Sequence, residues 1–441
     1  MSLRAAILAA LLVALAACAP REVILEGPRE ELRSDLGAPA DATGILDAGL
    51  DRAVPFSPPP PSTNSVWTHR AATPSHNMGH AALSDRPTEI WSTEIGEGNG
   101  RKHRITSDPV VGGGRVFTLD SRARVTAFST GGTPLWSSNL TPGTDSADDA
   151  SGGGLALGPD RLFVTTGFGR LHALDPTTGA ELWVQRLPDA AAGAPTVFDG
   201  IVYAVTRDST SWAIDAANGR VLWRIDGLPS ISGFDGGASP AVNDRIVVFP
   251  TASGELVGAL RQGGLRLWTA SLSGGRLGRV YAQIRDVSGD PVLQGNRIFA
   301  GNPSGRTRAF DARTGETLWT APHGSLSPAL AVGGSVFVVS DENALVRLDA
   351  ETGAEIWRTD LPFFVDERAR RRKGVFAQYG PVLAGGRLIV ASSGGVIRFF
   401  DPATGGQIGA QSVGGGAASN PVVANGTLYI VSASGRLHAF R

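Results

Sequence analysis

Carboxylates at a fixed spacing are the first groups in this 441-residue chain that could do chemistry. Asp175, Asp311, Asp349 and Asp401 each open an Asp-x-x-Thr-Gly sequence, and Asp215 opens the variant Asp-Ala-Ala-Asn-Gly. If they converged, such groups could ligate a divalent cation. Their recurrence once per period argues for turns instead. A short carboxylate accepts backbone N–H bonds two or three residues on, and the closing Gly takes a positive φ without steric cost. The 7 histidines have no metal-ligand spacing, and His172 and His438 occupy equivalent places in the repeat and are expected to pack. The runs Gly152-Gly153-Gly154 and Gly414-Gly415-Gly416 lack the strand-to-helix setting of a phosphate cradle. The chain is therefore expected to be no enzyme, with no catalytic residues, no metal and no cofactor.

One thiol stands apart. Cys18 is the single cysteine and follows Leu15-Ala16-Ala17, at the end of an apolar run that begins after Arg4. The run from Ala5 to Ala17 is too short to span a bilayer, which takes about 20 apolar residues, and reads as a secretory signal peptide. Small residues before the cysteine resemble a bacterial lipobox, which implies cleavage before an acylated Cys18. Ala19 in the next position implies delivery to the outer membrane, on its periplasmic side. Residues 1–17 are thus expected to be signal. Residues 18–66, with eight acids against four arginines and the run Pro58-Pro59-Pro60-Pro61, are expected to be a solvated tether. The remainder, 67–441, forms one domain.

The elements of that domain are legible as a repeat. Trp91, Trp136, Trp183, Trp223, Trp268, Trp319 and Trp357 are spaced by 45, 47, 40, 45, 51 and 38 residues. A period near 45 belongs to β-propeller blades, each a four-stranded antiparallel sheet. Within each period a Pro opens a short apolar stretch, as in Asp108-Pro109 and Asn420-Pro421, and two strands and a turn lead to the Trp strand. Blades end at Trp136, Trp183, Trp223, Trp268, Trp319, Trp357 and Gly409, and an eighth begins at Asn420 and reaches Arg441 after three strands. Residues 88–93 around Trp91 are a Trp strand with no blade before them. The expected fold is all-β, an eight-bladed propeller whose last blade is completed by that N-terminal strand, hiding two open edges.

The Asp-x-x-Thr-Gly-x-x-x-Trp turns resemble the pyrroloquinoline-quinone (PQQ) propeller superfamily, and with the lipobox the chain is similar to the BamB family of the outer-membrane β-barrel assembly (BAM) machinery. Residues 66–70 and 77–80 are similar to the stretch before blade one in alphaproteobacterial members. The resemblance implies a non-enzymatic lipoprotein docked through inter-blade loops onto the periplasmic domain of BamA, beside other BAM subunits. Residues 229–235 match the first such loop, with Ile231 and Phe234 as apolar contacts but without the family's arginine; residues 285–290 match the second, with Asp286 kept and Ser288 in place of an acid. Unfolded outer-membrane proteins, adding a strand to an exposed blade edge, form a further partner class. The alternative is a PQQ-dependent quinoprotein dehydrogenase, which shares the propeller; the vicinal cysteines many of those enzymes carry are missing here.

Charge adds two points. A net charge of −1 gives no electrostatic reason for nucleic-acid binding. The run Asp366-Glu367-Arg368-Ala369-Arg370-Arg371-Arg372-Lys373, between blades six and seven, could meet acidic lipid or an acidic partner.

Overall fold

Apolar residues alternating between Gly-, Asn- and Asp-bearing turns make short antiparallel strands, and the chain folds that way throughout. The computed structural model describes residues 54–441 apart from 229, 231–235, 273, 275–283 and 285. Among the described residues the strands form eight four-stranded sheets. Blade one runs outward from the axis as Val110–Gly112, Arg115–Leu119, Arg124–Ser129 and Pro134–Asn139. The first three strands are nearly all buried and the last alternates, because inner strands are sandwiched between neighbouring blades and outer ones face water on one side. Connections from one blade to the next lie on one face of the ring (the connection face). The Asp-x-x-Thr-Gly turns lie on the other.

The expected closure is present. Strand Glu89–Glu94 pairs with Arg436–Phe440, with Trp91 opposite Ala439 and Thr93 opposite Leu437. Backbone bonds between Thr88 and Arg441 of 2.9 and 3.0 Å extend the ladder.

The tryptophans join blades as well as filling them. The Nε1–H of Trp136, Trp183, Trp268 and Trp319 donates to the carbonyl oxygen of Pro176, Ala216, Ala312 and Ala350, each the residue after the turn Asp of the next blade. The ring lies against the turn Gly: a Cβ on Gly315, whose φ is +74°, would come within 2.7 Å of Trp268. The turn aspartates are spent as caps. Asp349 Oδ1 accepts the amides of Glu351 and Thr352 at 3.0 and 2.8 Å, and Asp401 repeats this with Ala403 and Thr404.

Each outer strand is bulged at the residue before its Trp. Ala173 faces Trp183 and Leu174 faces Glu181, so Leu182 is skipped and left exposed. The same skip occurs at Ile90, Leu135, Leu222, Leu267, Leu318, Ile356 and Ile408. The bulge turns the indole toward the neighbouring blade.

Blade seven has Gly409 in the Trp register. The third and fourth strands of blade eight come from opposite ends of the chain, so no turn joins them and an indole there would have nothing to dock on.

Candidate functional site

Inner strands of a propeller present unpaired backbone groups to the axis, and these need partners. The segment before blade one supplies them. Trp67 exchanges both backbone bonds with Val111 at 2.8 Å, and Thr68 O accepts from Leu157 N–H at 2.8 Å. Pro74 O and Ser75 O accept from the amides of Val242 and Leu293, each at 2.8 Å, and Ala81 N–H donates to Leu383 O. Asn64 O accepts from Asn425 N–H, and His69 Nε2 from Val197 N–H at 3.0 Å. With Phe56 edge-on to Phe337, the segment touches all eight blades. To make these turns Ala71, Ala72 and His76 adopt φ of 55°, 76° and 59°, conformations that cost a non-Gly residue about 1 kcal/mol or more each.

Residues 54–66, expected to be a free spacer, are part of this plug, so the packed domain begins by Val54 rather than at residue 67. Proline lacks an N–H but keeps its carbonyl, and an extended Pro-rich strand therefore offers acceptors. The guanidinium of Arg347, itself buried, donates to Val54 O and Pro55 O at 2.9 and 3.1 Å, and His80 Nδ1–H to Pro59 O at 2.7 Å.

At the centre of the plug stands Arg70. Its Nε lies 3.0 Å from Asp290 Oδ2 and 3.8 Å from Asp108 Oδ2. These aspartates begin the inner strands of blades five and one, diametrically opposite in an eight-membered ring, so the guanidinium must lie on the axis. Neighbouring groups tie the ring together. Asn420 donates its backbone N–H and Nδ2–H to Asp108 at 2.7 and 2.9 Å, while its Oδ1 accepts from Gly380 N–H and Ser327 Oγ. Ser239 N–H donates to Asp290 at 2.6 Å. Burial opposes the charge on Arg70, but Asp290 and Asp108 outweigh it and raise its pKa. Burial pushes the Asp108 carboxyl up, against the pull of Arg70 and Asn420.

Two plug imidazoles are held neutral. Burial, aided by His76, lowers His69 to about 3, and burial lowers His76 also. His69 Nε2 needs a lone pair for the Val197 amide, so its Nδ1–H faces Thr68 Oγ1 at 2.8 Å. The unfolded chain protonates these histidines below about pH 6.5 whereas the folded chain does not, so stability is lost as pH falls from 6.5 toward 3. His69 alone removes about 2 kcal/mol between pH 7 and 5. Asp108 works in the opposite direction, so the measurement is the difference between the parent and His69→Gln in urea titrations across that range. Parallel pH slopes for the two chains would sink this assignment.

The residues expected to bind a partner fare unequally. Cys18, Ile231 and Phe234 lie outside the described residues. Asp286 is described and is only 8% exposed, in a stretch where Val287, Ser288 and Asp290 are also buried. This stretch folds inward toward the axial ring, with Ser288 Oγ donating to Ser325 O at 3.2 Å. Sequence reasoning missed the role of Arg70, although the stretch around it, residues 66–70, was singled out; an arginine and two aspartates so far apart in sequence carry no local signal.

A quinone held with a cation, as the PQQ superfamily resemblance implies, would need donors converging on free space at the axis. Here both axial carboxylates face Arg70, and the amide of Asn420 is spent on Asp108. Among the described residues no group of three or more His, Cys, Asp or Glu side chains is arranged to hold a metal ion. The residues present do not fit that pair.

Fold and axis together define an eight-bladed β-propeller whose tunnel is filled by its own N-terminal segment. The family model described as outer membrane protein assembly factor BamB matches residues 121–359 and 355–441, and the chain belongs to that family. It is 26% identical over 363 residues to outer membrane protein assembly factor BamB of Shewanella oneidensis, covering 80% of this chain and 88% of that one. It is 25% identical to its namesake in Escherichia coli K12 over 360 residues, with the same coverage. Among solved structures, BamB from Moraxella catarrhalis superposes with a TM-score of 0.67 at 22% identity, covering 81% of this chain and all of that one. A europium-containing methanol dehydrogenase superposes with a TM-score of 0.66 at 14% identity, covering 85% and 98%, which shows that the fold also serves enzymes.

Proposed function

We propose that the chain is a non-enzymatic scaffold of outer-membrane protein assembly, anchored by an acylated Cys18 on the periplasmic side of the outer membrane and binding the periplasmic domain of BamA. The observation that carries the non-enzymatic reading is the axis: in a family of assembly factors, the place where a propeller enzyme would keep a cofactor holds a charge-paired arginine–carboxylate cluster. The partner surface is the connection face, with Ile231 and Phe234 as apolar contacts and Asp286 at its inner margin. Large apolar side chains are typical anchors of such contacts.

The test is capture of BamA from solubilised outer membranes by the tagged chain. Ile231→Asp with Phe234→Asp is expected to reduce capture about tenfold or more, since losing two apolar anchors costs at least about 1.4 kcal/mol, while the melting curve stays that of the parent. Undiminished capture would remove this surface from the proposal, and dye reduction that depends on PQQ and calcium would overturn the scaffold reading itself. For the anchor, metabolic palmitate labelling is expected to vanish in Cys18→Ala.

A further inference from the structure

The connection between the outermost strand of blade six (Glu355–Asp360) and the innermost strand of blade seven (Gln378–Ala384) is a hairpin of its own. Phe364 bridges Val375, Val365 N–H donates to Gly374 O at 3.0 Å, and Phe376 N–H to Phe363 O at 2.8 Å. Its base is fastened to the ring. Asn343 Nδ2 donates to Phe376 O at 2.8 Å, Gln378 Nε2 to Pro362 O at 2.9 Å, and Phe363 and Phe364 pack edge to face at 4.7 Å. Beyond the base the chain carries one 3-10 turn, Ala369–Arg371, and residues 370–375 are exposed.

That tip concentrates charge. Arg368, Arg370, Arg371, Arg372 and Lys373 stand against Asp366 and Glu367, a local excess of three positive charges in a chain whose net charge is −1. Two of the cations are answered locally: Arg371 lies 3.9 Å from Asp366, and Arg372 lies 3.5 Å from Glu367 while its guanidinium covers the Phe364 ring. Arg368, Arg370 and Lys373 are exposed, and no carboxylate of the described residues lies within ion-pairing distance of them. The hairpin arms add Val365 and Val375, 60% and 57% exposed, where water gains nothing from them.

We propose that this hairpin docks on an anionic phospholipid surface, with Arg368, Arg370 and Lys373 over the headgroup phosphates and Val365 and Val375 at the interface. Three considerations select a bilayer over an acidic protein. The cations sit on an exposed tip, which a flat surface meets without needing a complementary pocket. They are arranged without the fixed geometry that pairing with particular carboxylates requires. Small exposed aliphatics beside cations combine apolar contact with electrostatic attraction, which is how surface-bound segments hold to acidic membranes. The proposal rests on the placement of the chain at the outer membrane, where a second contact would fix how the propeller faces the bilayer.

The experiment uses the chain from residue 19 onward, which keeps the whole closed propeller but neither leader nor Cys18, so that no acyl chain contributes. It is sedimented with vesicles of phosphatidylethanolamine containing roughly one-third phosphatidylglycerol, and with vesicles of phosphatidylcholine alone. Expected is partition onto the anionic vesicles only, weakening with added salt. The variant Arg368→Gln, Arg370→Gln, Lys373→Gln should lower partition roughly tenfold or more, with unchanged melting. Absence of binding to anionic vesicles, or equal binding by the variant, overturns the proposal. If the parent ignores vesicles and the variant loses BamA or another assembly subunit, the hairpin is an acidic-protein contact and the lipid proposal is also overturned. Because BamA capture and vesicle partition are separate readouts, failure of one leaves the other standing.

Discussion

Replacing Arg70 with methionine is expected to cost about 3–5 kcal/mol, since it leaves the two buried carboxylates of Asp108 and Asp290 facing each other across the axis without a counter-charge. Methionine keeps most of the side-chain volume, so the loss measures charge rather than a cavity. Part of the cost is relieved if one carboxyl binds a proton, which the upward push on Asp108 favours. The penalty should therefore shrink at acid pH. Adding Asp108→Asn and Asp290→Asn to Arg70→Met is expected to recover part of the loss, because groups that share a network do not act additively. The plug should also loosen: residues 62–83 become cleavable by added protease in Arg70→Met before the blades do. A urea midpoint unchanged from the parent would show that the axial cluster contributes nothing, and the plug would then rest on its backbone bonds alone.

The second large effect concerns the closing strand. Deleting residues 88–94 removes the whole ladder to Arg436–Phe440, the hydrogen bond between Glu89 and His438, the ion pair of Glu94 with Arg436, and the tilted ring contact of Trp91 with Tyr429 at 6.0 Å. It also exposes the edge of Arg436–Phe440 to other chains. The ring is a closed cycle in which each blade braces the next, so the loss is not confined to blade eight. The deletion is expected to abolish the single cooperative melt and to favour aggregation. Trp91→Ala, which keeps the ladder, should cost only about 2 kcal/mol, because the indole is half-buried and its Nε1–H finds no acceptor among the described residues. A peptide of residues 86–96 added in excess should restore melting to the deleted chain. A deletion that melts cooperatively at the parent temperature would refute the closure as a source of stability.

Much of this was legible before any coordinates. The tryptophan spacing determined the blade period, and the orphan strand at Trp91 determined both the number of blades and the way the ring closes. These features are readable because they are local: period-two alternation, turn residues at fixed offsets and repetition all act within a few residues. The turn aspartates were read as caps on the same grounds, and Asp349 accepts the amides two and three residues on. The residue skipped before each Trp, exposed in most blades but buried at Ile356, by contrast had no reading in the sequence. A bulge depends on how a strand pairs, and the pairing of Ala173 with Trp183 but Leu174 with Glu181 is a property of two strands at once.

The axis was decided by tertiary structure alone. Arg70, Asp108 and Asp290 belong to three distant places in the chain, and only closing the ring brings two opposite blades within reach of one guanidinium. The same holds for the Pro-rich stretch. By composition it is a solvated spacer, yet the carbonyls of Val54, Pro55 and Pro59 meet Arg347 and His80, because buried donors on the ring and in the plug needed acceptors that a Pro-rich strand still offers. Sequence thus determined a closed ring of eight blades through short-range rules. What fills that ring was decided by the demand that every buried backbone group and charge find a partner, whatever its distance along the chain.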